Sequence, residues 1–217
     1  MPRNTASHAL TVAAGFLKGA TLTVPDSPNL RPSLARVREA IFDIWQFEVP
    51  GAIFIDAFAG SGIVGLEALS RGAARVIEIE KNPRNARRIS EQVREIARSR
   101  HIEDRLKLEW ELHQGPAERV VLELVAQEVH ADLCFLDPPY GYEGLGALIL
   151  LILDIGLIRE GGELMVECAA RDLRLLPLPH ELHGGAPLRE HRFGGTVLVR
   201  YRVGDLNAGG RPVQSEA

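Results

Sequence analysis

The sequence predicts an α/β fold in which a mainly parallel sheet is covered by helices on both faces. Two observations carry this prediction: from Ala52 onward, short apolar runs alternate with amphipathic segments, and turn-forming residues separate the two kinds of segment. A third is composition. The 217 residues are 46% hydrophobic and 25% charged, which suits one globular domain with a small appendage.

The N-terminal segment has a different pattern. Residues 9–24 are rich in β-forming side chains and contain glycines, which predicts a short β-hairpin. Residues 33–46 then follow a helical pattern, with Ser33 as the predicted N-cap. We therefore predict a β-hairpin extension and loop over residues 1–32, a main domain over residues 33–203, and a disordered tail over residues 204–217.

The main domain alternates strand and helix. The predicted strands occupy residues 52–60, 74–80, 105–112, 131–136 and 161–168, and a C-terminal antiparallel hairpin lies within residues 188–203. The predicted connecting helices occupy residues 61–72, 82–100, 116–129 and 142–158. Ligands of such sheets bind at the carboxyl ends of the strands, so we expect the chemistry just after the first, second and fourth strands.

A glycine-rich loop follows the first strand. In "DAFAGSGIVG", Gly60, Gly62 and Gly65 form a G-x-G-x-x-G pattern that opens a helix, and Glu80 ends the next strand. This order predicts a crevice for an adenine-nucleotide cofactor, with Glu80 on the ribose hydroxyls. The alternative is a glycine-rich turn that packs helix on strand, with Glu80 as a solvated strand end.

The glycine loop alone suits NAD as well as S-adenosylmethionine. Asp56 lies in the approach to the loop, where its carboxylate suits a ligand with an amino or sulfonium cation and repels a pyrophosphate. The residue therefore favours S-adenosylmethionine.

The stretch "FLDPPYGY" ends the fourth strand on Asp137 and continues with Pro138, Pro139 and Tyr140. Asp137 and the Pro138 carbonyl can each accept an N–H from an exocyclic amine, which aims the nitrogen lone pair at a methyl donor. Tyr140 can stack on the base that carries the amine. The stretch therefore favours methylation of an amine over the alternative of an ordinary Asp/Pro turn.

The sequence also resembles a known family. "DPPY" and "FAGSG" resemble the amino-methyltransferases that use S-adenosylmethionine. "NLRPSLARVREAIFDIW" and "FIDAFAGSGIVGLEALSRGAARVIEIEKN" resemble the RsmD-type bacterial methyltransferases of small-subunit ribosomal RNA, which modify the N2 amine of one guanine. The resemblance implies a Rossmann-like methyltransferase domain with a mainly parallel seven-stranded sheet, and S-adenosylmethionine as the cofactor.

The resemblance also implies roles for individual residues. Asp137, Pro138, Pro139 and Tyr140 would hold the target amine and base. The predicted cofactor-binding residues are Arg31, Ser33, Asp56, Phe58, Ala59, Gly60, Ser61, Gly62, Glu80 and Lys81. The predicted RNA-binding residues are Lys18, Arg36 and Arg38.

The chain departs from the family pattern after the third strand. An acidic residue usually contacts the adenine there, but this chain has Gly115, Pro116 and Ala117. Gln114 and Glu118 are the candidates to replace that contact. The hairpin is also less basic than is usual in the family, which leads to the hypothesis of weaker RNA affinity or of a substrate within a ribosomal particle.

Other features do not predict a site. Arginines crowd residues 82–100, but interleaved glutamates favour a solvated, self-paired helix face. His180 and His183 lack further ligands nearby, so we predict no metal. Cys134 and Cys168 lie in apolar runs, which suits buried thiols.

The formal net charge of −4 and the pI of about 6.0 argue against a strong non-specific nucleic-acid binder. We expect a cytoplasmic monomer with no membrane span that acts on ribosomal RNA within a small-subunit particle. The alternatives are a DNA adenine or cytosine amine methyltransferase, a protein-amine or glutamine methyltransferase, a NAD-dependent oxidoreductase, and a nucleotide-binding module without catalysis.

Overall fold

The computed structural model describes residues 7–25, 32–177, 182 and 185–204. Arg31, both histidines of the "HELH" stretch and residues 205–217 lie outside the described residues, as does the side chain of Ser33. The predictions made for them, including the disordered tail, stay predictions.

The described part of the chain contains β-strands, α-helices and one 3-10 helix. The strands are β1 (Ser7–Thr11), β2 (Thr21–Pro25), β3 (Ile53–Asp56), β4 (Arg75–Glu80), β5 (Trp110–Gln114), β6 (Ala131–Leu136), β7 (Ile158–Ala169), β8 (Gly185–Phe193) and β9 (Thr196–Val203). The helices are α1 (Pro32–Ile44), α2 (Ile63–Ser70), α3 (Pro83–Arg100), α4 (Glu103–Glu109), α5 (Ala117–Ala126) and α6 (Leu145–Asp154), and the 3-10 helix spans Ala170–Leu175.

Seven strands form one sheet in the order β5-β4-β3-β6-β7-β9-β8. Neighbouring strands from β5 to β7 pair in parallel, whereas β9 is antiparallel to both β7 and β8. Two apolar clusters, one on each face, bury the sheet under its helices. The predicted Rossmann-like fold, with its parallel sheet and antiparallel C-terminal hairpin, is confirmed.

The N-terminal hairpin packs along α2 and α3. β1 and β2 pair antiparallel, and the turn between them is held by two polar residues of α2. Glu67 accepts the backbone N–H groups of Ala13 and Ala14, and the Ser70 hydroxyl accepts that of Leu17 at 2.8 Å. The hairpin therefore docks through specific buried contacts, and its apolar side chains join the core of the main sheet.

Gly15 explains why this docking needs a glycine. Its φ is +80°, and a Cβ at this position would lie 1.7 Å from the Ser70 carbonyl oxygen. A side chain there would be strained by its own backbone and would collide with α2.

Two local predictions were wrong. Ser33 lies inside the first turn of α1, because that helix begins at Pro32. The strand predicted over residues 105–112 is instead α4 followed by β5, which starts at Trp110. The alternating pattern misled here because Leu106 is buried but Leu108 is 82% exposed. Arg105 pairs with Glu109 one helical turn later, which stabilises a helix.

A buried ionic cluster joins Trp45, the residue that follows α1, to the sheet at the end remote from the carboxyl ends of the strands. The Glu163 carboxylate of β7 accepts hydrogen bonds from the Trp45 indole N–H at 2.8 Å and from the guanidinium groups of Arg200 and Arg202 on β9. Both Glu163 oxygens accept hydrogen bonds from protein donors, so the residue serves to fix the packing.

No helix in the described ranges is long and apolar enough to cross a membrane.

Candidate active site

A crevice of about 650 Å³ opens at the carboxyl ends of β3, β6 and β7. The glycine loop forms its floor, α1 and α3 border it, and the open end of the β1–β2 hairpin covers one side. This is where the sequence predicted the chemistry, since parallel strands all point their carboxyl ends toward the same edge.

The glycine loop is held by Glu80. Gly60 and Gly62 have φ values of +54° and +84°, which a non-glycine residue rarely adopts. The Glu80 carboxylate accepts the Gly60 N–H at 2.8 Å and the Asn82 N–H at 2.6 Å. Glu80 therefore links the loop after β3 to the start of α3, and it is not a solvated strand end.

Gly65 has a packing role that involves a buried acid. A Cβ on Gly65 would lie 2.2 Å from the Glu78 Oε1 atom, so only glycine lets α2 approach β4 this closely. Burial raises the pKa of Glu78 well above its ordinary value, and the Trp110 indole is its one hydrogen-bond donor among the described residues. Sequence reasoning did not single out Glu78, although an acid inside the apolar run "VIEIE" was a visible signal.

Asp56 ends β3 at the base of the crevice and is 2% exposed. Burial raises its pKa to about 7, and the nearby Asp137 and Glu80 carboxylates add to the effect. The hydrogen bond from the Phe58 backbone N–H, at 3.3 Å, opposes it only in part. A positively charged ligand in the crevice would favour the ionised form of Asp56.

The loop after β6 carries Asp137 into the crevice and Tyr140 to its rim. Asp137 faces the crevice and has no hydrogen-bond partner among the described residues, and the surrounding protein raises its pKa above the ordinary value. Tyr140 is 51% exposed, with the Arg171 guanidinium 5.7 Å from its ring centre. The Gly141 N–H donates to Asp172 at 3.0 Å, which ties this loop to the 3-10 helix.

Glu167 is a third acid of the crevice, and the sequence analysis missed it. It lies on β7 and is 6% exposed. Burial and the charge of Asp137 raise its pKa to about 8. The signal was an acid within the apolar run "LMVEC", but the same run begins after Glu163, which has a structural role.

Comparison with known proteins assigns the chain to a family. The model of the family described as "Conserved hypothetical protein 95" matches residues 10–202. The chain belongs to this family. It is 34% identical over 188 residues to the Ribosomal RNA small subunit methyltransferase D of Escherichia coli K12, covering 84% of this chain and 86% of that protein. The predicted RsmD-type relationship is confirmed.

Solved structures share the fold of this family member. A hypothetical protein of Thermus thermophilus matches with a TM-score of 0.69 at 28% identity, covering 89% of this chain and 99% of that one. A protein crystallised with S-adenosylhomocysteine matches with a TM-score of 0.67 over 91% of this chain and 56% of its own. Its identity is 10%, so this second likeness concerns the fold alone.

The structure gathers most of the predicted cofactor residues and leaves others apart. The crevice lining includes Asp56, Phe58, Ala59, Gly60 and Ser61. Gly62 and Glu80 lie directly behind that lining, joined to it through the glycine loop. Lys81 is exposed and does not line the crevice, so its predicted contact has no support from the geometry.

The predicted RNA-binding residues are spread over the molecule. Arg38 lines the crevice, where its guanidinium donates to the Thr11 carbonyl at 2.9 Å, and Arg36 is exposed on the same helix. Lys18 lies at the hairpin tip, and its carbonyl accepts from Arg100 at the last residue of α3. Because α3 runs away from the crevice, Lys18 is at the opposite end of the hairpin from the site.

Arg88 corrects the prediction of a wholly solvated arginine face on α3. Arg87 does pair with Glu91 in solvent, as predicted. Arg88, however, lines the crevice, and its guanidinium donates to the Gly60 carbonyl at 3.2 Å. Neighbouring positions on a helix point in different directions, so one arginine faces solvent and the next faces the glycine loop.

The structure describes Gly115, Pro116 and Ala117, where the family pattern usually has an acidic residue. Pro116 is the N-cap of α5, and the Gly115 N–H donates to the Glu80 carbonyl at 3.1 Å. Of the two candidates for an adenine contact, Gln114 is exposed at the end of β5, whereas Glu118 is hydrogen-bonded by the Tyr142 hydroxyl. Gln114 is therefore the candidate whose side chain makes no hydrogen bond to a described residue.

Proposed function

We propose that this protein transfers a methyl group from S-adenosylmethionine to the exocyclic N2 amine of a guanine in small-subunit ribosomal RNA. Its curated relatives are named rRNA methyltransferases, and its enzyme class is that of an S-adenosylmethionine-dependent rRNA methyltransferase. The choice of guanine N2 goes further and rests on the site. The observation that carries it is Asp137, an acceptor without a partner, held beside the glycine loop at the crevice.

The crevice suits S-adenosylmethionine better than a dinucleotide. A dinucleotide-binding loop offers its backbone N–H groups to a pyrophosphate, but here the Gly60 N–H is already bound by Glu80. The carboxylates of Asp56 and Glu80 would repel a pyrophosphate and attract the cationic methionine part of the cofactor. Each Glu80 oxygen keeps a lone pair that could accept a ribose hydroxyl.

When bound, the cofactor supplies a methyl group on a positively charged sulfur. Asp137 and the Pro138 carbonyl accept the two N–H groups of the target amine, which turns the nitrogen lone pair toward that methyl group. Asp137 would also be placed to accept the proton that the amine loses on methylation. Its raised pKa suits a proton acceptor that works near neutral pH.

Tyr140 and Arg171 form the outer wall of the target-base site. The exposed Tyr140 ring can stack on a base that has left its helix, and Arg171 covers the other side of that ring. Arg36 and Arg38 on α1 lie toward the crevice entrance and supply positive charge for the RNA backbone. The net charge of −4 supports a substrate held within a ribosomal particle rather than tight binding of naked RNA. We place this activity in the cytoplasm, with the protein as a monomer.

The test is transfer of a labelled methyl group to three substrates: small ribosomal subunits that lack the modification, naked small-subunit RNA, and duplex DNA. The Asp137→Ala variant runs beside the wild type on each. We expect label in the RNA of the subunits, less in naked RNA, none in DNA, and a loss of about 100-fold or more in the variant. Mapping the label would identify the base.

Two results would contradict the proposal. Label confined to DNA would support methyl transfer to an amine but would contradict ribosomal RNA as the substrate. Label at a position other than a guanine N2 would remove the base assignment. A thermal-shift control checks the cofactor: S-adenosylhomocysteine should raise the melting temperature of both wild type and variant, and NADH should not.

A further inference from the structure

We infer that Glu167 is a second acceptor in the target-base site and that it reads the N1–H group of guanine, beside the amine that Asp137 binds. The inference rests on the proposed function and adds the residue that selects guanine over bases with the same amine but no N1–H.

The sheet places Glu167 next to Asp137. β6 and β7 run parallel, and Leu136 pairs with Val166. Asp137 and Glu167 are the next residue along each strand, so they are neighbours at the carboxyl edge, where parallel strands lie about 4.8 Å apart. Both side chains line the crevice. Two carboxyl groups side by side therefore face whatever base enters the site.

Glu167 has no hydrogen-bond or ion-pair partner among the residues that the structure describes. It is buried, yet no described residue gives its carboxylate a hydrogen bond or an ion pair. Asp137 is more exposed at the crevice and also has no hydrogen-bond partner among the described residues. The two arginines of the crevice donate elsewhere, Arg38 to the Thr11 carbonyl and Arg88 to the Gly60 carbonyl. A buried acid without a donor is costly, so its position is explained if the donor arrives with the ligand.

Guanine carries the matching donors. Its Watson–Crick edge presents N1–H directly beside the N2 amine, and a base that has left its helix is read on that edge. Two adjacent carboxyl groups can accept from both. A base with an unprotonated N1 would place a lone pair against Glu167, which leaves the acid unpaired. Without a base in the site, burial raises the pKa of Glu167, and N–H donors from guanine would lower it again and favour the charged form that accepts them.

The test compares guanine with 2-aminopurine, which keeps the amine but has an unprotonated N1. Small-subunit particles are assembled in vitro with either base at the mapped target position. The kcat/KM for methyl transfer is measured for the wild type, Glu167→Leu and Glu167→Gln. We expect the wild type to prefer guanine by about 10- to 100-fold, as for loss of a hydrogen bond to a charged group.

Glu167→Leu should bring this preference close to one, by slowing transfer to guanine and leaving transfer to 2-aminopurine nearly unchanged. Glu167→Gln should keep much of the guanine rate, because its carbonyl can still accept N1–H. Comparing variants on the same two particles cancels the different reactivity of the two bases. The matched control is Glu160→Leu, an exposed glutamate of the same strand, which should keep the wild-type preference.

Several results would overturn the inference. It is wrong if the wild type shows no preference, if Glu167→Leu keeps the wild-type preference, or if that variant loses both rates equally, which indicates a structural role. Binding of S-adenosylhomocysteine to Glu167→Leu, measured by calorimetry, shows separately that the crevice is intact. A wild type that does not methylate guanine particles would instead contradict the proposed function itself, and the inference with it.

Discussion

Glu163 and Glu167 lie four residues apart on β7, on the same face of the sheet, and both are buried. Burial alone would raise the pKa of Glu163, but hydrogen bonds from Trp45, Arg200 and Arg202 outweigh it and hold the pKa below its ordinary value. Glu167 has no such donors, and burial with the charge of Asp137 raises its pKa to about 8. The two acids differ in their partners and not in their depth.

This difference separates packing from function. At one end of the sheet, the donors to Glu163 come from Trp45, just after α1, and from β9, so the acid is part of the fold. At the crevice end, Asp137 and Glu167 have no donor among the described residues, and a ligand could supply one. A buried acid of this protein is therefore best interpreted through its hydrogen-bond partners, since exposure alone would place Glu163 and Glu167 in one class.

The largest effect on stability should come from Glu163→Ala. Removing this carboxylate leaves Arg200, which is mostly buried, and the Trp45 N–H without an acceptor. We expect the free energy of unfolding to fall by about 3 kcal/mol, as for a broken buried ion pair. Urea denaturation at pH 7 measures it. Glu167→Ala is the control, and it should change stability little or increase it. Equal losses in the two variants would contradict the comparison.

A smaller effect should follow from Glu67→Ala, which extends the comparison to a third buried acid. Glu67 accepts two backbone N–H groups of the hairpin turn and one hydrogen bond from Arg71 at 2.8 Å. We expect a loss of about 2 kcal/mol, because hydrogen bonds to a charged group are lost and the donors stay behind.

Hydrogen exchange gives this prediction its local signature. The amides of Ala13 and Ala14 should exchange faster in Glu67→Ala. Exchange of the β6 amides should change only as much as the loss of global stability requires. Unchanged exchange at the hairpin turn would show that pairing to Glu67 does not dock the hairpin.

The smallest effect should be a pH-dependent gain in the free energy of unfolding in the Glu167→Gln variant relative to the wild type. A carboxyl group whose folded pKa is raised binds protons more tightly when folded, so its contribution to stability is present at low pH and is lost as pH rises toward about 8. The Glu167→Gln variant has no ionisable group at this position and therefore does not lose this stability as pH rises. Its stability relative to the wild type should therefore increase between pH 7 and pH 9, by about 1 kcal/mol.

The charged groups that share the crevice with Glu167 are Asp137, Asp56, Arg38 and Arg88, and all are present in both proteins. Denaturant titrations of wild type and variant at each pH give the difference directly. Glu163 titrates in the opposite sense, since its lowered pKa makes its contribution disappear as pH falls. A flat difference between wild type and Glu167→Gln would mean that Glu167 has a partner.

Much of the fold and part of the site could be predicted because they depend on local patterns. The alternation of strands and helices, the glycine loop and the loop at Asp137 each depend on residues that are contiguous in the sequence. The strand predicted over residues 105–112 was wrong because alternation of charged and apolar residues also permits a short helix with i,i+4 ion pairs. Lys81 was predicted to bind the cofactor, and the fold leaves it outside the crevice lining. The RNA contact predicted for Lys18, at the hairpin tip, stays a prediction.

The sequence by itself determined the parallel sheet, the glycine loop, the position of Asp137 after its strand, and the relationship to a methyltransferase family. Only the tertiary structure decided which acid of "GELMVEC" is paired and which is free. The physical reason is that the donors to Glu163 come from Trp45, which follows α1, and from β9, while Glu167 lies next to Asp137, which follows β6. Partners so distant along the chain are fixed by strand order and register, which no local pattern records.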